Sequence, residues 1–122
     1  MTNTHINVGG HKITTNKVGQ VHTITNLLNG FTGTVRWVVT NGICTISISG
    51  VGRTSVQSSA VKLLENVPKA KIPAYVDCNN YTQNARLYIE ANTTDLIFTY
   101  TTSTSSVWTT LVYPVADDWV ES

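Results

Sequence analysis

The sequence predicts an all-β fold, a single domain built as an antiparallel β-sandwich or a small barrel. Three observations lead there. The 122 residues include 20 Thr, 11 Asn and 9 Ser, so 40 positions are small uncharged polar residues, and 15 more are Val. β-Branched residues suit a pleated strand and lower helix propensity. Apolar and polar residues alternate with period two over several segments. Finally, an Asn-Gly dipeptide stands between two such alternations, the strongest short signature of a hairpin. A chain of this length holds one modest core rather than two.

Taken in order, the first 33 residues are broken by Gly9-Gly10, Gly19, Asn29-Gly30 and Gly33, which leaves room for one or two short strands. Residues 20–28 are the best of these, with Val21, Thr23 and Thr25 alternating against His22 and Ile24. Next, GTVRWVVT (33–40) and ICTISISG (43–50) flank Asn41-Gly42. A type I′ turn there pairs Val39 with Cys44, Trp37 with Ile46 and Val35 with Ile48. All six side chains are apolar and share one face, while Arg36, Val38, Thr45, Ser47 and Ser49 form a solvated one. Residues 54–66 are the one helix-compatible window, although an extended connection fits them equally. Pro68 and Pro73 bracket an extended or kinked stretch. A second hairpin follows, NARLYIEA (84–91) and TDLIFTYTT (94–102), turning at Asn92-Thr93. It pairs Ile89 with Leu96 and Leu87 with Phe98, and sets Glu90 opposite Asp95, an unfavourable like-charge pair. After a polar loop (102–106), a last strand (106–115) turns Val107, Leu111, Tyr113 and Val115 inward and Trp108, Thr110 and Val112 outward.

Charged residues make up only 12% of the chain and the net charge is +1, which gives no electrostatic footprint for nucleic acid or an anionic membrane. The longest apolar runs are three residues, as in Trp37-Val38-Val39, far short of the ~20 that span a bilayer. Residues 1–20 lack the apolar core of a secretory signal. Cys44 and Cys78 match no metal spacing and read as two buried free thiols in preference to a disulfide.

Catalytic constellations are equally sparse. His5, His11 and His22 have no Cys or carboxylate near in sequence, so they read as surface imidazoles rather than zinc ligands. There is no G-x-S-x-G elbow, and Gly50-Val51-Gly52 lacks the third glycine and following helix of a phosphate loop. Among Asp77, Glu90, Asp95, Asp117 and Asp118, nothing marks the facing pair that glycoside hydrolysis needs. The expectation is a protein that is not an enzyme and uses no metal or cofactor.

What remains is recognition. DCNNYTQN (77–84) offers Asp77, Asn79, Asn80 and Tyr81, groups that hydrogen-bond sugar hydroxyls or pack on a pyranose face; it also reads as an ordinary polar loop. Trp108 is either an exposed stacking platform or part of a subunit interface. Tyr88, outward on its strand beside Arg86 and Glu90, completes the expected ligand-binding set. Trp37 belongs to the core, and Trp119 packs back on the body or on a neighbour.

With these elements placed, ENVPKAKIPAYVDC (65–78), residues 84–102 and SVWTTLVYPV (106–115) resemble the C-terminal receptor-binding head of phage tail-fibre and baseplate proteins, mainly of phages of Gram-positive hosts such as lactococci. FTGTVRWVVTNGICTISISG (31–50) matches the family's first strand hairpin, VPKAKIPAYV (67–76) an altered form of its proline motif, and Tyr113-Pro114 its closing aromatic. Asn92-Thr93 stands where the family often has a glycine turn. The resemblance implies a head over residues 31–122, with residues 1–30 a polar segment carrying a short strand, as stem or linker. It further implies a homotrimer made in the host cytoplasm and carried on the virion. The partners it implies are other tail or baseplate proteins and a host cell-wall polysaccharide. It assigns no residue. The alternatives are a baseplate scaffold or oligomerisation domain without its own ligand, and a bacterial lectin-like adhesin.

Overall fold

The computed structural model describes residues 5–8, 11–14, 19–53, 60–77, 85–100 and 104–121. The strands, in chain order, are β1 (His5–Val8), β2 (His11–Thr14), β3 (His22–Ile24), β4 (Thr32–Thr40), β5 (Ile43–Arg53), β6 (Val61–Leu64), β7 (Ala74–Asp77), β8 (Ala85–Ile89), β9 (Leu96–Tyr100) and β10 (Thr104–Pro114). β1 and β2 pair with each other, and the others form two four-stranded antiparallel sheets, β10-β5-β4-β3 (sheet I) and β6-β9-β8-β7 (sheet II). Val35, Ile46, Ile48 and Leu111 of sheet I share one core with Leu87, Ile89, Leu96 and Phe98 of sheet II. Phe31 crosses between them, its ring 5.6 Å from that of Phe98. The fold is all-β, a small sandwich.

The Asn41-Gly42 hairpin forms in the expected register, with Val39 on Cys44, Trp37 on Ile46 and Val35 on Ile48. Both turn residues have positive φ, 54° and 77°, the backbone a type I′ turn requires. Further along, Ser49 and Gly50 together oppose Trp108 on β10, because Val107 pairs with Val51 and Thr109 with Ile48. This β-bulge has Gly50 at φ 64°. On its other side Gly33 of β4 passes so close that a Cβ there would lie 2.7 Å from the Gly50 carbonyl oxygen.

The two sheets are tied at both edges. At one, the Leu28 N–H donates to the Leu63 carbonyl of β6 and the Asn29 side-chain amide to that of Lys62. At the other, residues 67–71 act as a strap. On one side the strap meets the loop between β8 and β9, through Val67 N–H to Thr94 O, Ala70 N–H to Thr93 O and Asn92 N–H to Ala70 O. On the other it meets the end of β10, through Lys71 N–H to Pro114 O and Ala116 N–H to Lys69 O, with Ala70 bridging Val115. The buried Tyr113 hydroxyl donates to the Pro68 carbonyl at 2.8 Å.

Several expectations are corrected. Of the two readings of residues 54–66 the helical one falls and the extended one holds, as β6, where Val61, Leu63 and Leu64 are buried; residues 54–59 lie outside the described ones. The polar N-terminal third carries three strands, since Val8 and His11 pair directly across the Gly9-Gly10 step. The chain reverses after β8 through a turn closed by Thr93 N–H to Glu90 O, with positive φ at Asn92, so the central residues are Ala91 and Asn92. The Leu87/Phe98 pairing is kept. Asp95 does not face Glu90 as a cost, because it turns to Lys62, 3.4 Å away. β10 starts at Thr104, inside the segment expected to be loop. Cys44 is buried and free; Cys78 lies outside the described residues.

Four outcomes follow from the packing. Tyr113→Phe leaves the buried Pro68 carbonyl without its donor and lowers stability by about 1–3 kcal/mol, read as a fall in urea midpoint at unchanged slope. Gly33→Ala forces its methyl onto the bulge backbone and destabilises by at least ~1–3 kcal/mol. Gly42→Ala, where a Cβ meets nothing within 4 Å, costs only the positive φ, about 1 kcal/mol. Burial pushes the Cys44 thiol up to about 11, so a thiolate-specific disulfide reagent at neutral pH leaves Cys44 unmodified until the chain is unfolded.

Candidate functional site

The outer face of sheet II assembles a cleft from residues that alternate out of β7 and β8. Leu87 and Ile89 point to the core, so Arg86 and Tyr88 point outward together with the residues opposite them. The register sets Tyr75 beside Tyr88 and Asp77 beside Arg86. β9 extends the face, with Thr99 next to Arg86 and Ile97 next to Tyr88. Tyr75 is 63% exposed. A hollow of about 490 Å³ opens over Tyr75, Arg86, Tyr88, Glu90 and Thr99, with Pro73 and Ile89 also lining it.

The Arg86 side chain organises this face. Its Nε donates to Asp77 Oδ1 at 2.7 Å and its Nη2 to Oδ2 at 3.4 Å, a forked contact that fixes the guanidinium plane. The guanidinium carbon lies 4.2 Å from the centre of the Tyr75 ring, within cation–π range. Hydrogen bonding from Arg86 holds the Asp77 carboxyl below its usual range, and Asp77 in turn makes Arg86 release its proton less readily. Phenol rings, guanidinium donors and carboxylate acceptors thus converge in one hollow, the chemistry that binds a polyhydroxyl ligand with one apolar face.

Of the expected ligand-binding residues, Asp77 and Tyr88 meet here. Asn79, Asn80 and Tyr81 belong to the connection between β7 and β8 and lie outside the described residues. Trp108 stands elsewhere, 66% exposed on the outer face of sheet I, over the Gly50 bulge with its indole 3.6 Å from where a Gly50 Cβ would be. Val112, Ile43 and Thr110 share that face. Tyr75 and Arg86 were not singled out by sequence. The signal for them is the mirrored order Tyr75-Val76-Asp77 and Arg86-Leu87-Tyr88, which antiparallel pairing converts into one aromatic and one charged pair.

A second cluster sits at the β3 edge. The His22 ring stacks on Trp37 at 3.9 Å, and its Nε2 lies 2.8 Å from the Glu121 carboxylate. Trp119 meets Trp37 edge-on at 6.1 Å. His22 is therefore no plain surface imidazole; it pins the C-terminal tail, and Trp119 packs back on the body. Trp37 is 8% exposed, as its place in the core requires. Among the described residues no group of three or more His, Cys, Asp or Glu side chains is placed to hold a metal ion. No family model, curated protein or solved structure matches this chain.

Because the Asp77 pKa is lowered, what the pair contributes is complete above the ordinary carboxylate pKa of about 3.9 and is lost only as pH falls through the lowered value. Asp77 carboxyl chemical shifts followed by NMR stay constant from neutral pH to about 5, and Arg86→Ala returns the titration midpoint toward the ordinary value.

Proposed function

We propose that this chain is a non-enzymatic recognition domain of a phage tail or baseplate, and that it binds a cell-wall saccharide of the host in the hollow between Tyr75 and Tyr88. One observation carries the reading: two outward tyrosines flank a forked Arg86/Asp77 pair over an open hollow of about 490 Å³. A pyranose ring offers C–H groups to an aromatic face and vicinal hydroxyls to a paired donor and acceptor, and this face supplies both. The resemblance of residues 31–115 to phage receptor-binding heads points to the cell surface as the source of the ligand. Asp77 and Tyr88 are then contact residues, Tyr75 the stacking platform and Arg86 the donor that Asp77 and Tyr75 hold in place.

A second reading, a structural or oligomerisation role in the same assembly, is favoured by a different observation. Trp108, Val112 at 54% and Ile43 at 42% are exposed on the outer face of sheet I, where the pairing of β10 with β5 puts Val112 next to Thr45 and Pro114 next to Ile43. Such a face suits contact with another copy, as a homotrimer requires.

The two readings separate experimentally. Under the saccharide reading, Tyr75→Ala and Tyr88→Ala each weaken binding of the labelled chain to lactococcal cells by about tenfold, with the melting temperature of Tyr75→Ala preserved because its side chain is exposed. Trp108→Ala leaves that binding intact. Under the structural reading, light scattering after size-exclusion gives a mass three times the 13.3 kDa of one chain, and Trp108→Arg returns it to the monomer. Cell binding that survives both tyrosine variants overturns the site.

A further inference from the structure

We propose that the cleft on sheet II selects an uncharged saccharide and that Glu90 is the residue that turns anionic glycans away. The inference rests on the saccharide reading of this same cleft. Its starting point is the charge balance of the lining. Among the described residues lining the hollow, Arg86 is the one cation, and it is already committed. The Nε/Nη2 edge, one of the two edges with which a guanidinium grips a carboxylate or phosphate, is taken by Asp77. One face of the guanidinium is taken by the Tyr75 ring. What Arg86 still offers is its Nη1 edge and one Nη2 proton, donors suited to hydroxyl or amide oxygens.

Glu90 adds a second negative charge with nothing to cancel it. It lines the hollow, and among the described residues no cation pairs with its carboxylate. Lys62, on the same outer face but at the β6 edge, opposite Ile97, is engaged by Glu65 and Asp95, while Lys69 and Lys71 are held by Asp118 and Asp117. Asp77, beside the hollow, offsets the Arg86 charge, which leaves the Glu90 carboxylate as the uncompensated charge of the lining. A phosphodiester or uronate entering it meets the like charge of Glu90, and the Arg86 that would attract it is already paired with Asp77. A neutral sugar meets hydroxyl donors and acceptors from Tyr75, Tyr88, Thr99, Arg86 and Asp77, and loses nothing to repulsion. The fold does not need the Glu90 carboxylate: the turn uses the Glu90 main-chain carbonyl, which accepts from the Thr93 N–H and Thr93 hydroxyl.

The test compares wild type, Glu90→Gln and Glu90→Lys at low ionic strength. The neutral probes are N-acetylated chitooligosaccharides, dextran and a neutral galactan; the anionic ones are poly(glycerol phosphate) and alginate. Binding is read by NMR shifts of the Tyr75 and Tyr88 rings. Wild type is expected to bind at least one neutral probe and to bind the anionic probes at least tenfold more weakly. Glu90→Gln raises the anionic-to-neutral affinity ratio about tenfold, Glu90→Lys raises it further, and added salt erases the gain, as screening of a single charge pair demands. Wild type that binds an anionic probe as tightly as a neutral one, or a ratio unmoved by both variants, overturns the charge selection and leaves the saccharide site standing. Wild type that shifts with none of the five probes overturns both.

Discussion

The short strap of residues 67–71 is the element on which the rest of the sandwich depends, because among the described residues five main-chain hydrogen bonds through it join the two sheets, against one from Leu28 to Leu63 at the other edge. It accepts and donates on one side to the loop between β8 and β9 and on the other to the end of β10. Pro68 enters it without an N–H to satisfy, and its carbonyl becomes the buried acceptor for Tyr113. An unpaired sheet edge is exposed to wrong pairing, and the strap covers the edge that β10 would otherwise present near its C-terminal end. Ion pairs from Lys69 to Asp118 and Lys71 to Asp117 run along the outside of the same joint. Such exposed pairs are worth little individually, so the joint rests on its backbone and on Tyr113.

The strap also positions the candidate site. β7 follows it after Pro73, so the direction in which the strap leaves decides where Tyr75 and Asp77 emerge. The loop of residues 90–95, held to the strap by Asn92 and Thr93, places Glu90 at the end of the same cleft. Both sides of the hollow are therefore referenced to one rigid joint, a requirement for a binding face that meets its ligand with little reorganisation. The opposite outer face is built differently. There the Gly50 bulge brings Trp108 above a glycine, on a face it shares with exposed Val112 and Ile43. One outer face thus carries paired charges and a hollow, the other apolar side chains and hydroxyls, which is why the two suit different partners.

How much of this was legible in the sequence depends on how local each pairing is. The β4/β5 hairpin was legible in full, since the Asn41-Gly42 turn and the alternation of six apolar residues demand the same register. The β8/β9 pairing was legible for a similar reason, while its turn was displaced by one residue because the strap takes the Asn92 N–H. The place of β6 was not legible. Its run of Val61, Lys62, Leu63 and Leu64 has no clean period, and only a partner strand lying far along the chain makes it extended. Glu90 opposite Asp95 looked costly for the same kind of reason: Lys62, which relieves Asp95, is 33 positions away.

The candidate site divides along the same line. Asp77 and Tyr88 stood out as polar and aromatic residues on outward positions, but Tyr75 and Arg86 acquire meaning only as their cross-strand partners, across a connection whose length hides the register. Trp108 read correctly as outward, yet nothing local said that it stands on a different sheet from Tyr88. By itself, then, the sequence determined the fold class, the two adjacent hairpins and the inward and outward faces of their strands, all set by period-two alternation and turn chemistry within about twenty residues. The tertiary structure alone decided which faces share a core, where His22 and Glu121 meet, and which outward side chains converge. The Tyr113–Pro68 and His22–Glu121 contacts join residues 45 and 99 positions apart and arise from the burial of whole sheets against each other, while the cleft pair Arg86 and Asp77, 9 positions apart, depends on a register that the connection between β7 and β8 does not reveal.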